Sequence, residues 1–279
     1  MARPVWLTKL FRWAYPTRRV FARLTQVPLV GRFADAALFS GGDVVYLPPD
    51  RAIAVNEAIA EPESVALPSN VVAHFIEQSS HRFIMHECIC RAGAQCQDYP
   101  VDLGCLFLGE AVLRINPKLG RLVSKEEALA HVRRARAAGL VHMIGRNRMD
   151  SVWLGASPAE RLLTICHCCP CCCLWGTIPH LHPQIADRVR RMPGVEVVVT
   201  ERCVGCGRCA RDVCFVDAIR LRDGRAVIDD AACRGCGRCV EVCPHDAIAL
   251  RMAEDSAIAL VEHLGALVDV ARDGQGHTG

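Results

Sequence analysis

Two cysteine runs near the C-terminal end have residue types and spacing suited to metal chemistry. They are Cys203-x2-Cys206-x2-Cys209-x4-Cys214 and Cys233-x2-Cys236-x2-Cys239-x3-Cys243-Pro244. A loop with two residues between cysteines can wrap three thiolates around an iron–sulfur cubane, and a more distant cysteine supplies the last ligand. We therefore interpret the runs as ligands of two 4Fe–4S clusters. Zinc ribbons and disulfides are the alternatives, but zinc sites usually separate their CxxC pairs by a longer stretch.

The two runs also match outside their cysteines. Cys203-Val-Gly-Cys206-Gly-Arg-Cys209 parallels Cys233-Arg-Gly-Cys236-Gly-Arg-Cys239, and Asp217-Ala-Ile219 parallels Asp246-Ala-Ile248. Such internal repetition is typical of a pseudo-two-fold unit. Residues 195–251 therefore resemble a bacterial-type two-cluster ferredoxin, which implies one-electron transfer at low potential.

In that family the fourth cysteine of each run serves the other cluster. The resemblance implies that one cluster takes Cys203, Cys206, Cys209 and Cys243, and that the other takes Cys233, Cys236, Cys239 and Cys214. The first run departs from the pattern, because four residues precede Cys214 and Phe215 stands where the pattern has proline. We expect a bulge beside Cys214 and two clusters with unequal surroundings.

Ten further cysteines lie upstream in two groups. The first group is Cys88, Cys90, Cys96 and Cys105, and the second is Cys166, Cys168, Cys169, Cys171, Cys172 and Cys173. Six cysteines within eight residues place thiols on every side of the backbone, so packing alone does not explain them. We expect some of them to converge on a metal.

Several interpretations of the upstream cysteines stay open. One is a third 4Fe–4S cluster with ligands from both groups: Cys90, Cys96, Cys105 and one or more of residues 168–172. A structural zinc site from the same residues is the second, since thiolates suit zinc equally well. Two extra clusters or a redox-active pair among the vicinal cysteines are the others. Arg91 would then offset the negative charge of a thiolate-bound cluster.

Short apolar segments that end in cysteines predict a small α/β domain around these groups. The predicted strands are 83–90, 140–144 and 162–166. Ser124 and Glu127 form a capping box that predicts a helix to about Ala138, with Gly139 just after its end. The overall fold class is therefore α+β: a cysteine-rich α/β domain followed by a ferredoxin-like domain.

Three upstream motifs resemble those of a family of larger ferredoxin-type iron–sulfur proteins. The motifs are Cys88-Ile-Cys90-Arg91, Gly104-Cys105-Leu-Phe-Leu-Gly109 and the run from Cys166 to Cys173. The resemblance covers residues 67–251, and in that family a cysteine-rich domain precedes a two-cluster ferredoxin. It implies an additional cluster or metal site without specifying its ligands.

The predicted domain organisation follows from these motifs and the composition between them. We expect a basic aromatic arm (1–45), the cysteine-rich domain (46–180), a linker (181–194), the ferredoxin domain (195–252), a C-terminal helix (253–270) and a disordered tail (271–279). The chain of 279 residues is two to three times as long as a two-cluster ferredoxin requires.

Charge differs between the two ends of the chain. The first forty residues carry seven Arg or Lys against one acid, Asp35, interleaved with aromatic residues. This pattern predicts docking on a membrane surface or an acidic partner, with packing of the arm on its own domain as the alternative. From Glu196 onward there are fourteen acids against ten bases. Opposed charges of this kind orient an encounter with a redox partner protein.

The sequence favours an electron carrier over an enzyme. It has no P-loop, no GxGxxG after a strand and no apparent catalytic triad. The alternatives are a subunit of an iron–sulfur oxidoreductase whose upstream site reduces a small molecule, or a structural zinc or thiol redox-sensing domain fused to a ferredoxin. No nucleic-acid-binding fold is recognised. We find no signal-peptide pattern, so we expect a cytoplasmic protein of an oxygen-poor compartment, with peripheral association at the inner face of the membrane as a variant.

Overall fold

Helices and strands alternate along most of the chain, and the α+β class is confirmed. The computed structural model describes residues 3–50, 53–54 and 67–272. The helices are α1 (Val5–Ala14), α2 (Arg18–Leu24), α3 (Pro28–Ala34), α4 (Pro68–Gln78), α5 (Ile89–Ala94), α6 (Lys125–Ala137), α7 (Arg148–Leu154), α8 (Pro183–Ala186), α9 (Arg238–Glu241) and α10 (Ser256–Leu267). A π-helical turn (Asp35–Phe39) and short 3-10 segments, including Leu174–His180, join them.

The strands are β1 (Val44–Leu47), β2 (Ile53–Ala54), β3 (Arg82–Met85), β4 (Leu106–Leu108), β5 (Gly120–Leu122), β6 (Val141–Gly145), β7 (Leu163–Cys168), β8 (Val189–Arg191), β9 (Val195–Val199), β10 (Ile219–Arg222), β11 (Arg225–Ile228) and β12 (Ile248–Met252). A seven-stranded sheet has the order β5-β3-β4-β7-β6-β1-β8. Its pairs are antiparallel except β1 with β8. Strands β2, β12 and β9 form a second sheet, and β10 and β11 form a hairpin.

Both faces of the seven-stranded sheet are covered. Because side chains alternate along a strand, Ile165 of β7 points to one face and Cys166 and Cys168 point to the other. On the first face, Ile165 packs with residues of α4 and α6 in one apolar core. On the second face, Cys168 joins a separate core with Trp175 of the 3-10 segment. The cysteines of β7 therefore project between the sheet and the chain that covers its second face.

Local signals in the sequence predicted the helix α6 well. Ser124 Oγ accepts a hydrogen bond from Glu127 N at 3.2 Å, and the Glu127 side chain accepts one from Ser124 N at 2.9 Å. Gly139, just after the helix, has a left-handed φ of +74°. The predicted capping box and helix end are both confirmed.

The strand predicted over 83–90 is wrong beyond Met85. There the chain leaves the sheet, and Cys88 becomes the N-cap residue of α5. The Cys88 N–H donates to Val101 O at 2.7 Å instead of to a neighbouring strand. Strand β7 reaches Cys168, two residues past the predicted end. These two shifts bring Cys88 and Cys90 on a helix close to Cys166 and Cys168 on a strand.

The segments outside the cysteine motifs also carry regular structure. Residues 181–194, predicted as a linker, contain α8 and the strand β8. The predicted C-terminal helix is α10, which contacts α4. Residues 273–279 of the predicted tail lie outside the described residues. Among the described helices, none combines the length and apolar character needed to cross a bilayer.

Candidate metal centres

The two C-terminal cysteine runs form loops with matching backbone geometry. Gly205 and Gly207 have φ of +68° and +74°, and their counterparts Gly235 and Gly237 have φ of +63° and +72°. Glycine adopts this left-handed conformation without the steric cost that a side chain brings. The loops therefore turn tightly, and the sequence repeat is also a repeat of conformation.

Backbone amides donate to the sulfur atoms of both runs. Ala218 N donates to Cys214 Sγ and Ala247 N donates to Cys243 Sγ, each at 3.3 Å. Ala226 N donates to Cys203 Sγ and Gly235 N to Cys233 Sγ, each at 3.4 Å. Amide donors stabilise negative charge on thiolates, which is the form of cysteine that binds iron. The donors fit the ligands of an anionic cluster.

The eight thiols of the two C-terminal runs lie in two sets, and each set contains cysteines from both runs. Cys214 lines one cavity together with the second-run cysteines Cys233, Cys236 and Cys239. On the other side, Cys243 lies near Cys209 with Cys203 and Cys206. Burial first, then the neighbouring thiols Cys243, Cys203 and Cys206, raise the pKa of Cys209. Each set thus contains three cysteines of one run and the last cysteine of the other.

The loop that contains the extra residue before Cys214 packs on the seven-stranded sheet through Phe215. Phe215, which stands where the ferredoxin pattern has proline, is buried and packs on the ring of Tyr46 with centroids 5.4 Å apart. Nearby, Asp212 has a left-handed φ of +56°. Tyr46 belongs to β1, so the irregular loop meets the seven-stranded sheet at this point.

Four upstream thiols converge tightly. The Sγ atoms of Cys96, Cys169, Cys171 and Cys172 all lie within 4.8 Å of one another. The Cys96–Cys171 pair is 3.7 Å apart. Tetrahedral sulfur ligands around one ion at the usual Zn–S length lie about 3.8 Å apart. This four-thiol group, made of the loop after α5 and the turn after β7, fits a single tetrahedral ion.

The other upstream thiols surround a separate chamber. It is lined by Cys88, Cys90, Cys105, Cys166, Cys168 and Cys173. We call it the six-thiol chamber. Cys105 Sγ lies 3.7 Å from Cys166 Sγ, and Cys88 and Cys173 lie close to Cys90. Cys166 and Cys173 lie close to Cys168, so neighbouring thiols line most of the chamber wall.

A buried cation lies between the two upstream groups. Arg91 is fully buried, and its guanidinium donates to Pro100 O at 2.8 Å, to His167 O at 2.7 Å and to Leu103 O. It is close enough to Cys88, Cys105 and Cys169 for these thiols to raise its pKa, although burial alone would lower it. Arg91 therefore provides positive charge to thiols of both groups.

Two polar side chains near the chamber, Asp150 and His142, were missed by sequence reasoning, whereas His167 lies within the cysteine run itself. Asp150 is buried and accepts hydrogen bonds from Thr164 Oγ1 at 2.9 Å and Trp153 Nε1 at 3.1 Å, and burial raises its pKa. His142 and His167 are buried on the opposite sheet face, with their Nδ1 atoms 2.8 Å apart. Their strand register, His142 opposite His167, pairs them, and no short-range sequence signal reveals this.

The ligand set favoured from the sequence for a third cluster is not brought together. Cys96 belongs to the four-thiol group, whereas Cys90 and Cys105 line the six-thiol chamber. Cys169 also borders the chamber but has its sulfur among the tight four. His86, beside the first motif, is exposed. All eighteen cysteines lie within the described residues, and all of them are free thiols there.

Comparison with known families agrees with the C-terminal geometry. Residues 202–247 match the family model of a 4Fe–4S dicluster domain. The C-terminal region is therefore a ferredoxin-type domain that binds iron–sulfur clusters. No curated protein and no solved structure matches the chain.

Proposed function

We propose that this chain is an electron-transfer protein with two 4Fe–4S clusters in its ferredoxin-type domain and a third metal centre upstream. The mixed composition of the two C-terminal thiol sets is the observation that carries the proposal, because it is the arrangement that two neighbouring clusters require. Bound clusters of this type accept and release single electrons. The protein's own part is to hold the thiolates, supply amide donors and exclude water.

The two sets have different access to solvent. In the first set Cys206 is exposed, and the neighbouring Val204 is 64% exposed. In the second set all four cysteines are partly buried, and their cavity also contains Tyr46. The greater exposure of the first set supports exchange of electrons with a redox partner protein at the Cys206 loop. The second set lies further inside the protein.

The third centre in this proposal is the four-thiol group. In a cubane each cysteine binds a different iron, so its four sulfur atoms lie farther apart than the four ligands of one ion. The close approach of Cys96, Cys169, Cys171 and Cys172 therefore favours a single zinc or iron ion. Tyr99 packs beside this group, and its hydroxyl accepts a hydrogen bond at 2.9 Å from Arg238 of α9 in the ferredoxin-type domain.

Ligand exchange in the two sets tests the proposal. We expect Cys214→Ala to alter the electron paramagnetic resonance signal of the cluster held by the second run, and Cys243→Ala to alter that of the first run. Each is the matched control of the other, because the two cysteines occupy equivalent places in the repeat. If Cys214→Ala changed the same signal as Cys203→Ala, the mixed sets would be wrong.

Anaerobic purification with iron and acid-labile sulfide analysis tests the function itself. Two cubanes supply about eight irons and about eight sulfides per chain. A chain reduced by dithionite should show signals of reduced 4Fe–4S clusters, with two separable midpoint potentials because the two thiol sets differ in exposure. Absence of sulfide, or clusters that cannot be reduced, would exclude electron transfer through this domain.

A further inference from the structure

We propose that the six-thiol chamber binds an iron–sulfur cluster of its own, separate from the four-thiol group and additional to the two clusters of the ferredoxin-type domain. This inference extends the proposed function but rests on different residues. It divides the ten upstream cysteines into two centres of different kinds: a single ion in the four-thiol group and a cluster in the chamber.

The chamber has the donors and the space for a cluster. Its six thiols come from four places in the chain: the N-cap and first turn of α5, the residue before β4, strand β7 and the residue before the 3-10 segment. Its cavity volume is about 50 Å³, whereas the cavity at the second ferredoxin set has a volume of about 20 Å³. The chamber is therefore at least as roomy as a thiol set of recognised type.

The arrangement of the sulfur atoms differs from that of a single-ion site. Within the part of the chain that the structure describes, the chamber thiols form no group as tight as the four-thiol group. They line a wall instead of pointing at one position. The sulfur atoms of Cys105 and Cys166 are only 3.7 Å apart, so this pair counts as one of the four ligands that a cubane needs. Thiolates spread around a space suit a polynuclear centre with several metal atoms.

The surroundings suit a buried anionic group. Phe107, Trp153 and Trp175 line the chamber and exclude water, and Phe11 of α1 closes it by stacking on Trp153 with centroids 6.1 Å apart. The Arg91 guanidinium supplies one positive charge from within the protein. A buried cluster with thiolate ligands carries net negative charge, which this cation offsets.

The chamber is also placed for electron exchange with the ferredoxin-type domain. Tyr46 is fully buried in one apolar cluster with the chamber residues Cys168 and Cys173. The same ring lines the cavity of the second ferredoxin set with Cys214 and Cys236. A single aromatic residue of β1 therefore separates the two thiol sites, and a redox-inactive zinc ion would make no use of that proximity.

A count of acid-labile sulfide in the wild-type chain tests this inference first. The ferredoxin-type domain accounts for about eight sulfides, and one cubane in the chamber adds about four. The four-thiol group binds its ion without sulfide. A wild-type count of about twelve sulfides supports the chamber cluster, and a count of about eight overturns it.

Matched triple variants locate the additional cluster. Cys88→Ala, Cys166→Ala and Cys173→Ala together leave three thiols in the chamber, one fewer than the four cysteines that usually bind a cubane. We expect loss of about four irons and about four sulfides, with the ion of the four-thiol group retained. The control, Cys96→Ala, Cys169→Ala and Cys172→Ala together, should lose that ion and keep all sulfide. Retention of all sulfide in the chamber variant would overturn the inference.

Spectroscopy separates this inference from the proposed function. In the reduced wild-type protein, spin coupling across Tyr46 should broaden the signal of the second ferredoxin cluster, and the chamber variant should show that signal narrowed but present. If the chamber variant lost the ferredoxin signals as well, the chamber would not be an independent site. Should that variant fail to accumulate, the wild-type sulfide count decides alone.

A different observation carries a second inference, at the N-terminal helices. We propose that the outer face of α1, α2 and α3 docks on an anionic membrane surface. Among the described residues, ten of the seventeen exposed large apolar side chains lie between Trp6 and Phe33. The most exposed are Trp13 and Leu29 at 80% each and Phe33 at 75%.

The charge on this face is entirely positive. Its exposed cations are Arg3, Lys9, Arg19, Arg23 and Arg32. Asp35, the single acid among the first forty residues, is held by Arg188 through hydrogen bonds of 2.6 and 2.8 Å. Cationic helices with exposed aromatic and aliphatic side chains bind at the headgroup boundary of anionic bilayers.

The inner face of the same helices is fixed to the protein. The Tyr15 hydroxyl donates to Cys172 O at 2.7 Å, and the Tyr15 ring packs on Gly93 of α5. A Cβ at Gly93 would lie 2.7 Å from Tyr15 Cβ, so the two elements are in close contact. Self-packing and docking thus use different faces of these helices.

Sedimentation of the full chain with vesicles tests the docking face. We expect binding to vesicles of phosphatidylcholine with phosphatidylserine, weak binding to phosphatidylcholine alone, and release at high salt. Trp13→Ser with Leu29→Ser, and separately Arg19→Gln with Arg23→Gln, should each weaken binding about tenfold or more. Leu221→Ser, an exposed apolar residue elsewhere, is the control.

Two results would overturn the docking inference. One is equal binding of the control and the face variants. The other is absence of binding to phosphatidylserine vesicles while the chain binds soluble polyglutamate, which would assign the face to an acidic protein instead.

Discussion

In the ferredoxin-type domain the cysteine sulfur atoms accept backbone N–H groups at 3.3–3.4 Å, whereas in the upstream domain the buried thiols share one guanidinium, that of Arg91. Both arrangements stabilise thiolate charge. They differ in how far along the chain the stabilising group lies. Amides reach Cys214, Cys233 and Cys243 from two or four residues away, and only Cys203 has a distant donor, Ala226. Arg91, in contrast, is bound by carbonyl groups of residues 100, 103 and 167.

Because of this difference, we expect the metal sites of the two domains to respond differently to substitutions. A local amide donor needs only a correct loop conformation, so each loop can form its contacts independently. The upstream thiols need α5, β4 and β7 to assemble before their shared cation is in place. We therefore expect loss of the shared cation to affect both upstream centres together, and substitutions in the C-terminal loops to affect the two thiol sets one at a time.

The largest expected effect comes from removing the shared cation. Arg91→Met leaves three buried carbonyl groups without donors and the thiolates of both groups without a counter-charge. Loss of one partner of a buried charged interaction costs about 3–5 kcal/mol. We expect metal analysis to show loss of both upstream centres, while the ferredoxin signals persist in electron paramagnetic resonance spectra.

A surface arginine provides the matched control for this variant. Arg134 pairs with Asp102 at 2.9 Å, and both side chains are more than 60% exposed. Arg134→Met should cost less than about 1 kcal/mol and leave the metal content unchanged. If Arg91→Met kept the upstream metals, charge sharing through Arg91 would be wrong, and the comparison between the two regions would lose its main support.

A glycine pair tests the ferredoxin side of the comparison. A Cβ at Gly205 would lie 2.0 Å from Gly224 O, whereas a Cβ at Gly224 would meet no atom within 4 Å. Both residues have left-handed φ, so either change to alanine costs about 1–2 kcal/mol in backbone strain. Gly205→Ala must also move the Gly224 carbonyl, which adds about 1–3 kcal/mol.

The same movement should reach a cysteine. Ala226, two residues after Gly224, donates its N–H to Cys203 Sγ. We therefore expect Gly205→Ala to lower the content of the first ferredoxin cluster and to leave the second cluster and the upstream centres intact. The amplitude of the reduction step at each cluster's own midpoint potential measures the two ferredoxin clusters, and metal analysis measures the upstream centres. Equal effects of Gly205→Ala and Gly224→Ala would show that close approach of the backbone is unimportant here.

A smaller effect is expected from the buried histidines of the upstream domain. Burial first, with Arg136 and His131 nearby, lowers the pKa of His142 to about 3. The unfolded chain binds this proton below about pH 6.5, and the folded chain does not. Stability is therefore complete above that pH and is lost as pH falls, by about 1 kcal/mol per pH unit.

Two variants separate the contribution of His142 to the pH dependence of stability from the acid lability of the clusters. His142→Gln should flatten the decrease of unfolding free energy between pH 6.5 and pH 5 relative to wild type, in anaerobic denaturant titrations at about half-unit steps. His74→Gln, at an exposed position of α4, should keep the wild-type slope. Equal slopes for the two variants would show that His142 is not the group that excludes the proton.

The contrast between local and distant contacts also explains what the sequence could predict. The cysteine runs, their glycines and the α6 capping box act within a few residues, and all three are readable from spacing. The division of the ten upstream cysteines depends on Cys96 following the end of α5 at Gln95, with its left-handed φ of +53°, and on the register of β7. Neither leaves a short-range signal. The position of Tyr46 between two thiol sites has the same long-range origin.

The smallest predicted effect concerns a contact that is local but lies in the upstream domain. Ser124→Ala removes the side chain that caps α6, and loss of such an N-cap costs about 1 kcal/mol. Because α6 covers the sheet face opposite the chamber, both upstream metal contents should stay at wild-type values while the unfolding free energy falls. Ser69→Ala, whose hydroxyl contacts only Asn70 among the bonds described for it, is the control. Metal loss in Ser124→Ala would mean that even local contacts of this domain are coupled to its thiol sites, and that assembly of the whole domain, not Arg91 alone, sets their occupancy.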